Sequence, residues 1–230
     1  MFGKDLTQRK ITLEERMMIG DNVDSAVAPH NFIAVRDKGT GKVLFTRKNL
    51  VVRIGRELTL RHLFDLPYSS EDQEKLHNRT LCLFGIGSGG TPESDPFNPL
   101  VPTSADKDLN KAVPFRIVNS GNPLPEEDKK LYFDTKQNHD DTQYMKKLFT
   151  KKELVVDTEK DRVYVKVTLD VNALDARGQK FSEIGIFSAR VTKPGETYED
   201  IQMFSRITFD TESLSATTGK GLTIEYYVFA

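Results

Sequence analysis

Val163-Tyr164-Val165-Lys166-Val167-Thr168-Leu169 alternates aliphatic side chains with polar or aromatic ones. A strand turns successive side chains to opposite faces, so a period of two buries one face and leaves the other wet. The period returns in Leu222-Thr223-Ile224-Glu225-Tyr226-Tyr227-Val228-Phe229, where both faces carry large side chains. Such a strand belongs inside a sandwich or in a contact between subunits. Burying Leu222, Ile224, Tyr226 and Val228 contributes about 6–12 kcal/mol before entropy, so removing the segment is expected to unfold the domain. Between these two stretches, 181–190 and 202–209 read as two further strands.

Upstream, 32–36 and 42–46 read as a hairpin about Asp37-Lys38-Gly39-Thr40-Gly41, whose glycines permit positive φ. Over 50–65 the period changes. Leu50, Ile54, Leu58 and His62 fall at helical spacing with Val51 and Leu63 beside them, and Pro67 ends the pattern. Residues 71–76 continue in helix-forming types. A buried strand over 80–86 runs into the glycines of 85–90. A stiff loop follows, with Pro92, Pro96, Pro99 and Pro102. Residues 115–118 read as a short strand after Pro114. The stretch 119–161 reads as charged loop with a turn at Asn119-Ser120-Gly121-Asn122-Pro123.

Residues 1–30 read as a polar arm. Thr12-Leu13-Glu14-Glu15 has the form of a capping box, and Met17, Met18 and Ile19 give the short helix behind it an apolar side, ended by Gly20. A helix this short needs a surface to lie on, in its own domain or in a neighbour. The expected architecture is mainly β (α+β). It is an antiparallel β-sandwich over 31–230 with about eight or nine strands, one packed helix near 50–65 and loop insertions at 87–105 and 119–161.

The 230 residues suffice to bury a core, and 37% hydrophobic with 29% charged residues lies outside the disordered class. A formal net charge of -1 supplies no long-range field for nucleic acid or an anionic membrane. The local cluster Lys146, Lys147, Lys151 and Lys152, with Asp140, Asp141, Glu153 and Asp157 near by, reads as a solvated charged loop. The single cysteine, Cys82, excludes a disulfide within the chain. It sits in the apolar run Leu81-Cys82-Leu83-Phe84 and reads as a buried hydrophobe, a reactive thiol being the lesser alternative. No stretch is apolar enough to span a bilayer as a helix, and MFGKDLTQRK lacks the apolar region of a signal peptide.

Gly85-Ile86-Gly87-Ser88-Gly89-Gly90 has the G-x-G-x-x-G spacing directly after a strand. Dinucleotide binding also requires a helix next, because the pyrophosphate sits on its N-terminus. Thr91-Pro92 and three more prolines follow instead, and no Walker lysine is present. The glycines are expected to serve a sharp reversal or a close backbone approach. His30, His62, His77 and His139 show no metal-ligand spacing with another His or Cys. His139 beside Asp140 and Asp141 reads as loop before it reads as a metal ligand or base. Asp170, Asn172 and Asp175 before Gly178 resemble a calcium loop only in part, because Leu174 occupies a ligand position and the closing Glu is out of register. No G-x-S-x-G nucleophile turn occurs. No catalytic, cofactor-binding or metal-binding residue is assigned, and the chain is expected not to be an enzyme.

Two groups of segments carry a resemblance. One is Asn49-Leu50-Val51-Val52, then Gly55-Arg56-Glu57 with its apolar helix, and a strand into Phe84-Gly85-Ile86-Gly87-Ser88-Gly89-Gly90-Thr91-Pro92. The other is Phe181-Ser182-Glu183-Ile184-Gly185-Ile186-Phe187, Met203-Phe204-Ser205-Arg206-Ile207-Thr208-Phe209 and the aromatic strand 222–229. Their order resembles small structural proteins of tailed bacteriophages, from the neck or collar, tail or baseplate of the virion. The segment 119–161 departs from that pattern. The resemblance implies a structural subunit in a cyclic or pseudo-cyclic assembly, made in the host cytoplasm and carried in the virion. Its partners would be copies of itself and other virion proteins, with no membrane and no sequence-specific nucleic acid contact. The expected assembly contacts are Met17, Met18 and Ile19 of the arm, Pro92, Pro96, Phe97 and Pro99 of the stiff loop, and Tyr227 and Phe229 of the closing strand. The alternative is a sandwich that binds carbohydrate or a receptor through exposed aromatics, with Tyr68, Tyr132, Tyr144 and Tyr198 as candidates.

Overall fold

The structure, a computed structural model, describes residues 31–64, 66, 79–159, 162–172, 174–176, 179–193, 197–211 and 221–229. The hairpin near the start forms as expected. β1 (Phe32–Asp37) and β2 (Val43–Lys48) turn at Gly41, which has φ 68°. The Asp37 carboxylate braces the turn by accepting from the Thr40 backbone N–H at 2.6 Å and from its hydroxyl at 2.7 Å. Next come β3 (Leu50–Val51), α1 (Arg53–Phe64) and β4 (Arg79–Gly87). After the loop lie β5 (Ala112–Val113), β6 (Arg116–Val118), α2 (Glu126–Lys129), β7 (Tyr132–Asn138), β8 (Asp141–Leu148) and β9 (Lys151–Asp157). The chain closes with β10 (Arg162–Val171), β11 (Glu183–Lys193), β12 (Thr197–Thr208) and β13 (Leu222–Phe229).

These strands make two antiparallel sheets. The smaller has the order β2-β1-β13-β10-β9, and the larger runs β3-β12-β11-β4-β8-β6 with β5 and β7 joined at its margin. Both bury their apolar faces in one core. Ile33, Val35, Val167, Leu169, Ile224 and Tyr226 come from the smaller sheet, and Phe84, Ile86, Ile184, Ile186, Phe204 and Ile207 from the larger. The fold is therefore mainly β and sandwich-like. β13 lies between β1 and β10, which explains its two apolar faces. Tyr226 points inward with no exposed surface, and its hydroxyl accepts from the Asn49 side-chain amide at 2.8 Å. A second cluster, including Cys82, Leu83, Phe187, Ala189 and Met203, also lies on the larger sheet.

Three expectations are corrected. The helix is shorter than 50–65, because Leu50 and Val51 pair with Arg206 and Ser205 of β12, and the Val52 N–H bonds to the Phe204 carbonyl at 3.0 Å. The ladder takes these residues before a helix can. The segment 119–161 is not a loop insertion. It contains α2, β7, β8 and β9, with β7 and β8 joined by the tight turn His139-Asp140, where His139 has φ 53°. Lys146 and Lys147 are not solvated but 5% and 1% exposed. Lys146 pairs with Asp134, and Lys147 lies 2.6 Å from the Asp175 carboxylate. β3, β5, β7, β8 and β9 come in addition to the expected strands and bring those among the described residues to thirteen. The arm 1–30, residues 71–76, His30, Tyr68 and His77 lie outside the described residues.

Candidate functional site

The glycine segment is an internal joint. Its backbone donors already have partners in the chain. The Ser88 N–H bonds to the Lys111 carbonyl at 2.8 Å, the Gly89 N–H to the Glu183 carboxylate at 3.1 Å, and the Gly90 N–H to the Ser182 hydroxyl at 2.9 Å. A Cβ on Gly90 would overlap the Ser182 carbonyl, and one on Gly87 would overlap the Glu183 carboxylate, so both positions require close approach. No helix follows before Lys111. A phosphate would have to displace Glu183 to reach these N–H groups.

Glu183, with no exposed surface, is the centre of this joint. Its Oε1 accepts from the Gly89 and Lys111 N–H groups, the latter at 3.0 Å. Its Oε2 accepts from the Asn110 N–H at 3.2 Å and from Arg206 Nε and Nη2 at 2.9 and 2.7 Å. Arg206 Nη1 also reaches Asp106 at 2.8 Å. Burial works against the charge on Arg206, but Asp106 and Glu183 overcome it and hold its pKa above the ordinary value. One carboxylate thus fastens β11 and β12 to both ends of the loop 88–111. Glu183 is assigned no role from the sequence; its sign there is a lone acid ahead of Ile184-Gly185-Ile186-Phe187, with an arginine inside the facing strand.

The proline loop is fixed on one side and apolar on the other. Leu100 donates its N–H to the Gly90 carbonyl at 2.8 Å, Thr211 donates to the Pro96 carbonyl, and Arg53 at the start of α1 donates to Ser104 at 2.9 Å. Pro92, Pro96 and Pro99 are half-buried against this base. Phe97 and Val101 project at 62% and 84% exposure. α1 behaves likewise. Leu58 and Gly55 face β12, with Gly55 against the Phe204 carbonyl, while Leu60, Leu63 and Phe64 are exposed. His62 is exposed too.

Tyr227 does not join that surface. Tyr227 is buried within its own chain, stacked on Phe32 at 4.5 Å and tilted against Tyr164 at 5.7 Å, with its hydroxyl on Glu225 at 3.0 Å. Phe229 stands opposite Tyr164 in the ladder. Met17, Met18 and Ile19 lie outside the described residues. Of the aromatics expected to form a sugar platform, Tyr132 is buried and donates to Asp175 at 2.6 Å. Tyr144 and Tyr198 are half-buried, Tyr198 at 4.4 Å from the Phe133 ring.

A third exposed apolar strip lies on the smaller sheet. Leu154 and Val156 of β9 stand opposite Val165 and Val163 of β10, hence on the same face. Val165 packs on the core, whereas Leu154, Val156 and Val163 are 67%, 60% and 43% exposed. The smaller sheet therefore extends past the cover of the larger one. No protein-family model, curated protein or solved structure matches this chain. Among the described residues, no three His, Cys, Asp or Glu side chains gather as metal ligands would, and no helix is long and apolar enough to cross a membrane. Cys82 is buried, and desolvation pushes its thiol up to about 11, far from the thiolate that metal binding or nucleophilic chemistry needs.

Proposed function

We propose that this chain is a structural subunit of a larger protein assembly, of the kind that builds the neck, tail or baseplate of a tailed-phage virion. The observation that carries the reading is the set of apolar surfaces held on rigid supports: Leu154, Val156 and Val163 on a sheet margin, Phe97 and Val101 on a pinned loop, and Leu60, Leu63 and Phe64 on α1. Apolar surface grouped in this way, rather than scattered singly, marks places where another molecule sits. The deeply buried charges of the joint and of β8 hold the chain together: Glu183 with Arg206, and Lys147 with Asp175. On this reading the partners are further copies of the chain and other virion proteins, it is made in the host cytoplasm, and its place is the particle.

The test combines size and location. Sedimentation of the purified chain over a wide concentration range should show self-association. Mass spectrometry of purified particles should return its peptides in fixed ratio to the other structural proteins. A chain that stays monomeric at every concentration and is missing from particles would end the proposal. A carbohydrate-binding reading receives no comparable support, since the candidate tyrosines among the described residues pack against their own chain.

A further inference from the structure

β9 is an outer strand of the smaller sheet, paired on one side with β10 in unbroken register from Lys151 to Asp157. Among the described residues, no strand pairs with its other side. The opposite outer strand, β2, is protected in the usual ways: its ladder breaks at Val35/Arg36 and it ends in Arg47-Lys48. β9 also carries charge, in Lys151, Lys152 and Glu153, but its ladder has no break, it holds no proline, and Leu154 and Val156 are mostly exposed. A regular outer strand with apolar side chains is a template for another strand.

We infer that β9 is the seam of a two-fold homodimer, in which β9 of one copy pairs antiparallel with β9 of a second copy about Leu154. The inference rests on the assembly reading and names its first contact. A two-fold axis normal to a continuous sheet keeps each residue's face, so only registers centred on a residue are allowed. Five centres can be compared along Thr150-Lys151-Lys152-Glu153-Leu154-Val155-Val156-Asp157-Thr158-Glu159. Centring on Lys152 sets lysine against lysine, and centring on Glu153 sets glutamate against glutamate. Centring on Val155 puts Glu153 opposite Asp157, and centring on Val156 puts Glu153 opposite Glu159. Each of these opposes like charges across the seam, which destabilises a strand pair. Centring on Leu154 avoids all of them. Leucine then meets leucine on the axis, Lys151 meets Asp157 twice by symmetry, Thr150 meets Thr158, and Glu153 meets Val155. Lys152 lies beside Val156, where its aliphatic stem covers the valine. The five strands of each copy become one sheet of ten, and the exposed strips of Leu154 and Val156 run together across the axis.

The test uses the full chain and sedimentation equilibrium. L154K sets two lysines on the axis at a position exposed in the single copy. It should raise the dimer dissociation constant about tenfold or more. K151D and D157K should each weaken the dimer, and K151D/D157K together should restore it to within about threefold of the natural chain. The restoration guards against a variant that merely folds badly. L154C should also link two copies by a disulfide under mild oxidation, because directly opposed residues bring their Cα atoms within disulfide reach. E153C, whose cross-strand neighbour is Val155, should link far more slowly. An oligomer that keeps its affinity in L154K and gains nothing from the paired charge reversal overturns this seam and leaves the assembly reading standing. A chain monomeric at all concentrations overturns the seam, and its absence from particles would remove the assembly reading as well.

Discussion

Replacing Glu183 with glutamine is the most discriminating test of the joint between the glycine segment and the closing strands. The substitution keeps size and shape and changes one oxygen into an amide. All groups hydrogen-bonded to the carboxylate are donors: three backbone N–H groups and the Nε and Nη2 of Arg206. A glutamine oxygen placed at Oε2 still serves Arg206 and Asn110, but its NH2 then faces the Gly89 and Lys111 donors. Turned over, it faces Arg206. Two buried backbone N–H groups without an acceptor cost about 1–3 kcal/mol each, so a loss of about 4 kcal/mol is expected. That is a large share of a total stability of roughly 5–15 kcal/mol. With a urea slope of about 3 kcal/mol per M for a chain of this size, the midpoint should fall by about 1.3 M at unchanged slope. Hydrogen exchange at Gly89 and Lys111 should accelerate more than exchange in β10 or β13. E183A should be no better than E183Q, since it leaves the same donors facing a void. A midpoint for E183Q within about 0.3 M of the natural chain would refute the account of Glu183 as a fully engaged acceptor.

Acid should loosen the smaller sheet through Glu225. Burial alone would raise its pKa, but hydrogen bonds from Lys166 and Arg36 hold it below the ordinary 4.5. A carboxylate with a lower pKa in the native state stabilises it at neutral pH, and that benefit declines as pH falls below about 4.5 until the group is protonated in the native state too. Urea midpoints taken down the pH scale should fall less steeply in this window for E225Q, and an identical slope would contradict the assignment. Gly90→Ala should cost about 1–3 kcal/mol by forcing a methyl against the Ser182 carbonyl. Gly121→Ala, whose new Cβ would meet nothing nearer than the Asn119 side chain at 3.5 Å, should stay within about 0.5 kcal/mol in the same denaturation assay. Iodoacetamide at pH 8 should leave Cys82 unmodified in the native chain and alkylate it quickly in urea. Prompt labelling without denaturant would show that the thiol is neither buried nor held at about 11.

The parts of the fold legible in the sequence are those where water meets only one face of a strand. β10 is the case in point, announced by its alternation; β13 shows the same period with large side chains on both faces, and β1 and β2 are marked by the glycine turn between them. The hairpin β7–β8 was hidden because Lys146 and Lys147 are consecutive, one to each face of β8, and look like a soluble pair. Their partners Asp134 and Asp175 come from a neighbouring strand and a turn beyond β10, so no local window reveals that the charges are neutralised inside. β9 was hidden for a different reason. An outer strand with an uncovered face keeps Lys151, Lys152 and Glu153 beside Leu154 and Val156, and the mixture reads as loop. Leu50-Val51 fits a helical period and a strand equally well, and only the free edge of β12 decides between them. The glycine run announced close approach, and the structure adds what approaches: Ser182 and Glu183.

The placement of β13 has a consequence for how the molecule comes into being. β1 is flanked by β2, its hairpin mate, and by β13, so Arg36 meets Glu225 across 189 residues of chain. A ribosome adding about 5–20 residues per second needs about 10–40 s to cover that interval. Throughout it the nascent hairpin shows Ile33 and Val35 with no sheet beside them. Polysomes crowd such intermediates together, and a β13 from one nascent chain would fit the vacant slot of its neighbour as well as its own. Keeping those hairpins apart until β13 arrives is thus a task for the translating cell, and slowing elongation before residue 222 would lengthen the time at risk.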